Sequence, residues 1–366
     1  MKQLLILCCY SLVCLSAFGQ QNGTWYGFWN SDSTAYGFKD AQGRVTIPTK
    51  LDQMFFAHTF SHIVAVTERT DEIWRSYYLT KSGRAIAEDS VYFFDNTPDC
   101  ESEGFIRFHD QTTDKMGLLN RHGNIAIPAR YSALTAVHNG MVIALQDAHK
   151  QHWDTTHAGG CNHYSWTGGR ELLLDTTGSI LIDSFPLNEQ LDLSSLRITP
   201  TAETDSLRAF FLAGNGQYYS FIDMEKEFDQ WLRTSVLKDL SVKNLLQHAQ
   251  KEICHWRPEE GWVYTSSKTL LAANHHKIKT LLSSLKDTAT DYHIFTESLN
   301  QFMYTSSDYD GYYNNCGEAE NWRYPVKNIV ISYQTPGDFY QDHIQFLRTP
   351  QGYKLISISL GKDTLQ

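Results

Sequence analysis

Two hydrophobic periodicities divide the chain. From about residue 24 to 190, short apolar and aromatic runs lead into three or four polar residues that end in glycine, and a second apolar run follows. The first runs are Tyr36 to Phe38, Tyr77 to Leu79, Gly117 to Leu119 and Leu172 to Leu174, and the turns end at Gly43, Gly83, Gly123 and Gly178. The pattern predicts β-hairpins, in which glycine supplies the positive φ of a tight turn. Pro48 and Pro128 are expected to end the second strand, since a residue without an N–H cannot donate to the ladder. A further extended run, His62 to Val66 in the first unit and Gly140 to Leu145 in the third, makes three strands per unit. The glycines at 43, 83 and 123 set a period of forty residues. Such a period predicts stacked units, each burying a face that it could not bury alone. Gly216 marks a fifth turn, whose place in the series the sequence leaves open.

Beyond about residue 220 the period changes to three and four. Phe228, Trp231 and Leu232, then Val242, Leu245, Leu246, Ala249 and Ile253, predict two helices divided near Asp239 to Ser241, with Ser241 capping the second. A third helix is expected from Ser267, carrying Leu270, Leu271, Ile278, Leu281, Leu282 and Leu285. The stretches VKNIVISY, HIQFLR and YKLISIS read as strands, the last two joined at Thr349 to Gly352. Helices followed by antiparallel strands predict an α+β unit with helices on one face of the sheet.

The segments YGFKDAQGRVTIP (36–48) and MGLLNRHGNIAIP (116–128) are near copies. Tyr36-Gly37-Phe38, Gly43, Ile47-Pro48 and Leu51 correspond to Gly117-Leu118, Gly123, Ile127-Pro128 and Tyr131. At these residues the chain resembles the WG-repeat proteins of bacteria. Tyr36 and Met116 replace the tryptophan that names the family, and the second and fourth units keep little beyond the turn glycine. The resemblance runs over about residues 24–190. It implies an all-β repeat array, a propeller-like ring or an open stack, used as a scaffold or binding surface, with no catalytic residues to carry over.

The first residues alter the boundaries. MKQLLILCCYSLVCLSAFGQ has one basic residue, an apolar run of about a dozen and small residues at Ala17 and Gly19, the features of a secretory signal cleaved after Gly19. The run is shorter than a membrane span requires. Val13 stands before Cys14, where a lipoprotein signal has a small residue, so lipidation is the lesser alternative. The expected organisation is therefore a signal peptide (1–19), a WG-like β-repeat domain (20–200) and an α+β domain (201–366), secreted or periplasmic, with no transmembrane segment in the mature chain.

Charge narrows the partners. The net charge of −10 at pH 7, with no Lys/Arg run, repels phosphate backbones and argues against nucleic acid. Of seven cysteines, Cys100, Cys161, Cys254 and Cys316 remain after the signal. An even number in an exported chain favours disulfides. Sequence proximity favours Cys100 with Cys161 and Cys254 with Cys316, among three possible pairings.

Three constellations could carry chemistry. His149, His152, His157, Cys161 and His163 fall within fifteen positions, a ligand set that zinc or copper accepts. No HExxH or paired CxxC accompanies them, and an aromatic-rich insertion held by a disulfide explains them as well. Asp308, Asp310, Glu318 and Glu320 lie among Tyr309, Tyr312, Tyr313 and Trp322. Carboxylates beside aromatic faces suit a glycan site, and a carboxylate pair is what a glycosidase needs. Asp308-Tyr309-Asp310-Gly311 also resembles the start of a calcium loop, without its later ligands. Finally, neither a GxSxG elbow nor a phosphate-cradling loop occurs. The sequence thus points to an exported, non-enzymatic binding or scaffold protein for a protein or glycan ligand of the cell envelope. The alternative is an exported hydrolase of glycan or peptide using the four C-terminal carboxylates. No cofactor is expected, zinc or calcium being the weaker alternative.

Overall fold

The computed structural model describes residues 23–52, 57–70, 73–153, 163–186 and 190–365. The signal segment, His157 and Cys161 lie outside the described residues. The protein is mostly β-strand, arranged in several antiparallel sheets with few helices, and the described residues form no closed barrel.

The repeated turns form alike, hydrogen bond for hydrogen bond. In each, the glycine N–H donates to the residue three before it: Gly43 to Asp40 (2.9 Å), Gly83 to Thr80 (2.9 Å), Gly123 to Asn120 (2.8 Å), Gly178 to Asp175 (3.0 Å) and Gly216 to Ala213 (3.0 Å). The five glycines have φ between 72° and 84°, a region a Cβ disfavours. In four of the turns a side chain at the first position also accepts from the backbone. The Oδ1 atoms of Asp40, Asn120 and Asp175 each take two N–H bonds, and Thr80 Oγ1 takes one. The signal of the turn is therefore Asp, Asn or Thr three residues before glycine, as the Asx-turn mechanism requires.

Successive hairpins are linked by shared sheets. The strand Ile63–Thr70 closes one unit and pairs antiparallel with Ile73–Thr80, which opens the next. Phe105–Asp110 pairs with Lys115–Asn120 in the same way, and Met141–Gln146 with Arg170–Asp175. Their inner faces bury separate clusters, one around Phe38, Phe60 and Val66 and another around Leu118, Ile127 and Leu172.

The glycine in the opening run has its own reason. A Cβ on Gly37 would stand 2.6 Å from the Ile47 carbonyl oxygen, and one on Gly117 would stand 2.7 Å from that of Ile127. Both lie where the register shifts against the following strand, and a bulge brings the backbones too close for a side chain. Gly117→Ala is expected to cost about 2 kcal/mol, because neither the Ile127 backbone nor the Phe108 ring can yield freely. Gly43→Ala meets open space and bears only the φ penalty, about 1 kcal/mol. Thermal unfolding of the two variants should rank them in that order.

The C-terminal part holds a six-stranded sheet in the order Gly261–Ser266, Ala249–Arg257, Gly352–Ser359, Asp338–Thr349, Val326–Thr335, Tyr292–Glu297. All neighbours are antiparallel except Ala249–Arg257 with Gly352–Ser359. Helices cover one face. Met224–Trp231 starts on the Asp223 cap and runs on as a π-turn, Leu232–Val236. Val242–Gln247 starts on Ser241, whose hydroxyl accepts from Asn244 N at 3.3 Å. The segment expected as a third helix forms two, Ser267–Ala273 and His275–Ser284, divided at Asn274. Phe228, Leu270, Ile278 and Leu282 meet Ile329, Ile344 and Phe346 in a common core. The opposite face is covered by Leu299, Tyr304 and Tyr309.

Two expectations fail here. Pro48 and Pro128 lie inside the strands Val45–Asp52 and Ile125–Tyr131 rather than ending them, because each falls where the register shifts and no ladder N–H is needed. Ala249 and Ile253 continue the helical stripe in sequence, but they lie in a strand. The stripe ends at Gln247 because the chain beyond it is recruited into the sheet by Gly352–Ser359, a partner a hundred residues later. Among the described residues no helix is long and apolar enough to cross a membrane.

Candidate functional site

The loop after Tyr312 contains the recurring turn once more. Asn314 N–H donates to the Glu318 carbonyl at 2.8 Å, Gly317 N–H donates to the Asn314 carbonyl at 3.0 Å, and Gly317 has φ 78°. Asn314 Oδ1 accepts from Cys316 N and Glu318 N, as Asp40 does in the first hairpin. The turn presses on the N-terminal sheet: Thr59 N–H donates to the Asn315 carbonyl at 3.0 Å, and Thr59 Oγ1 donates to Asn315 Oδ1 at 2.6 Å. There Cys316 forms a disulfide with Cys100, across 216 residues of sequence.

This corrects the pairing expected from proximity. Cys100 does not pair with Cys161, nor Cys254 with Cys316. Cys254 is a free, buried thiol, pushed up to about 11 by burial and hence a poor nucleophile. The bond follows the docking of the Asn314 turn onto Thr59, a contact that spacing along the chain does not encode.

Three cavities, of about 260, 740 and 420 Å³, converge on this junction, and all three are lined by Asp99, Cys100 and Glu318. Their walls come from strands and loops of the N-terminal sheets, from residues 314–322 and from Thr296, Gln301 and Phe302. Arg107 is fixed in the wall: it donates to Asp99 through its backbone N–H (2.7 Å) and Nε (3.1 Å), to the Leu134 carbonyl (2.9 Å), and lies 4.8 Å from the centre of the Tyr92 ring. Glu101, beside Cys100, accepts from the N–H groups of His62 and Ile63.

The smallest cavity is the most unusual chemically. His138 stacks on Trp322 with ring centres 4.1 Å apart, and its Nδ1 is buried with no hydrogen-bond partner among the described residues. Burial, with a smaller contribution from Arg107, pushes this imidazole down to about 4, so it is neutral at neutral pH. Burial also raises the Glu320 carboxyl above its usual range, against Arg323 and with Glu103 adding to the rise. Ser102 is not poised as a nucleophile, since its hydroxyl donates to the Val137 carbonyl at 2.6 Å.

The His138 pKa has a consequence for stability. The unfolded histidine takes up a proton near its ordinary value of about 6.5, whereas the folded one resists until about pH 4. Stability is expected to fall as pH drops from 6.5 towards 4. His138→Phe keeps a stacking ring and should flatten that part of the profile, read as the urea midpoint at several pH values.

The four candidate carboxylates do not converge. Glu318 and Glu320 line the cavity beside Trp322, and Glu318 also accepts from Asn314 Nδ2 at 2.8 Å. Asp308 lines a different cavity and is paired with Lys251 at 2.8 Å. Asp310 is exposed in the 3-10 turn Ser307–Tyr312.

Of the histidines, His157 lies outside the described residues. His149 and His152 lie in the strand His149–His152, paired with Tyr164–Thr167. His149 Nε2 bonds Thr167 Oγ1 at 2.8 Å, His152 packs on Tyr164, and His163 stacks on Trp153. Among the described residues no group of three potential ligands is placed to hold a metal ion. Sequence reasoning missed Arg107, Asp99, Glu101 and His138. The turn signature Asn314-x-x-Gly317 was the one visible sign that residues 314–318 form the same device as the hairpins.

Fold and cleft define the class first: a β-sheet-rich protein with a recurring hairpin turn and a composite cleft. Within it, residues 116–148 match the family model of the WG containing repeat, which spans the third hairpin and its closing strand. No curated protein and no solved structure matches the chain.

Proposed function

We propose that this is an exported, non-enzymatic binding protein in which a WG-like β-repeat array (residues 20–200) and an α+β unit (201–366) together form the ligand cleft. One observation carries the reading: three cavities meet where a disulfide and a turn from the second part close onto the first. Pockets built at the junction of two units, with aromatic walls and a few fixed polar groups, are the usual form of binding sites. The disulfide supports an oxidising compartment, and with it removal of residues 1–19 and a secreted or periplasmic location. The ligand is a protein or glycan of the cell envelope. The hydrolase alternative has less support, because Asp308 lies in a different cavity from Glu318 and Glu320 and Ser102 is engaged.

The test places a photo-crosslinking residue at position 318 of the mature chain and, as a control, at the exposed position 243, and exposes both to the cell-envelope fraction. A discrete adduct at 318 that is missing at 243 is expected. Identical patterns at the two positions would reject the cleft as the binding surface. Turnover of a glycan or peptide panel, lost in Glu320→Gln, would replace the binding reading with the enzymatic one.

A further inference from the structure

A second surface stands apart from the disulfide cleft, on the edge of the six-stranded sheet. We propose that the hairpin Ala249–Arg257/Gly261–Ser266 and the segment 303–309 form a binding track for an uncharged oligosaccharide. The proposal is independent of whether the disulfide cleft holds a ligand.

The track begins in a cavity of about 480 Å³ whose lining includes Gln250, Lys251, Glu252, Tyr264, Ser266 and Tyr309. A volume of this size lies within the usual range for small-ligand sites, roughly 300–1,000 Å³. The aromatic wall is rigid. Tyr264 Oη donates to the Met303 carbonyl, which fixes the ring while leaving the residue 43% exposed. Tyr304 meets Tyr264 edge to face at 6.4 Å, and Tyr309 supports Tyr304 at 5.0 Å.

Antiparallel register continues the track out of the cavity. Tyr264 pairs with Cys254 and Trp262 with Trp256, so Tyr264 and Trp262 share a face at two residues' spacing, about 7 Å. Trp256 and Trp262 are packed together at 5.5 Å and 75°. That cross-strand contact steadies the hairpin, yet the two residues remain 43% and 45% exposed. Because Gly261–Ser266 is an edge strand, no further strand among the described residues covers the row on that side.

Aromatic faces next to hydroxyl, amide and carboxylate groups match a ligand that is itself two-sided. A sugar ring offers C–H groups on one face and hydroxyls around its rim. The rings take the first by dispersion and by the negative charge of their faces, and the polar groups take the second. Charge selects an uncharged glycan. Lys251 is already paired with Asp308, and Arg257 with Glu260 at 3.0 Å, so Glu252 leaves the track slightly negative and anionic sugars are repelled. A proline-rich peptide could stack on the same rings, but it offers few donors to Glu252 and Asp308. The spacing along the row favours several linked rings over a single sugar.

Isothermal titration of the full mature chain tests this with cellohexaose, maltohexaose and chitohexaose, and with oligogalacturonate and decaproline as contrasts. At least one uncharged hexaose is expected to bind at millimolar concentration or below. Trp262→Ala should weaken that binding roughly tenfold, as the loss of one aromatic contact implies, with Trp262→Phe recovering most of it. Should Trp262→Ala disturb the hairpin, Glu252→Arg provides the second variant, since its long side chain would obstruct the cavity from an exposed position. The proposal is overturned if no uncharged hexaose binds, if decaproline or oligogalacturonate binds in preference, or if hexaose binding is the same in the variants.

Discussion

The double replacement Cys100→Ala/Cys316→Ala is expected to destabilise the protein by about 5 kcal/mol, the largest effect of any change short of the core. The bond closes a loop of 216 residues. In the chain-entropy account a cross-link acts on the unfolded state, removing an entropy that grows with the logarithm of that loop. The native contacts at the junction, Thr59 with Asn315 and Asn314 with Glu318, do not depend on the sulfurs. The variant should therefore fold while unfolding at lower denaturant. It should also lose coupling between its parts, so that urea-dependent hydrogen exchange in the N-terminal strands and in the helices gives separate midpoints. Coincident, unshifted transitions in urea would show that the junction is held without the covalent tie.

The second large effect is at Arg348. This side chain is 11% exposed and joins three elements: Nη1 donates to Asp192 at 2.8 Å, Nε and Nη2 donate to Glu227 at 2.7 and 3.1 Å, and Nη1 also reaches the Arg323 carbonyl. Tyr353 Oη adds a bond to Glu227 at 2.9 Å. Arg348→Ala leaves the Asp192 carboxylate, 5% exposed, and Glu227 without their cation. An uncompensated buried charge costs about 3–5 kcal/mol, more than the intact pair contributes. Arg348→Lys should recover only part of this, because an ammonium cannot reproduce the bidentate fork. Urea unfolding measures both, and a loss under about 1 kcal/mol for the alanine variant would assign the joint to packing instead.

Both effects fall at contacts between parts of the chain far apart in sequence, and this marks the limit of what the sequence made legible. The hairpins at Gly43, Gly83, Gly123 and Gly178 could be read from spacing, because a tight turn is a local event settled by one glycine and one side-chain acceptor three residues before it. The same holds for the Ser241 cap and for the strands ending in YKLISIS. Ile253 was misread because a helical stripe and a buried strand are both apolar, and the choice between them belongs to a partner strand near residue 355. The aromatic row of Trp256, Trp262 and Tyr264 was invisible for the same reason: only the register of two strands puts those rings on one face.

Of the candidate site, Glu318, Glu320 and Trp322 were legible as a polar and aromatic loop, but not as the wall of a cleft with Arg107 and His138 opposite. By itself the sequence determined the recurring turn, the change from sheet-forming to helix-forming periodicity and the supply of cysteines, all set by interactions within a few residues. Only the tertiary structure decided which cysteines join, which carboxylates share a cavity and which aromatics face outward. Those outcomes depend on how already formed units dock, and docking is settled by shape and desolvation across surfaces that no short window of sequence contains.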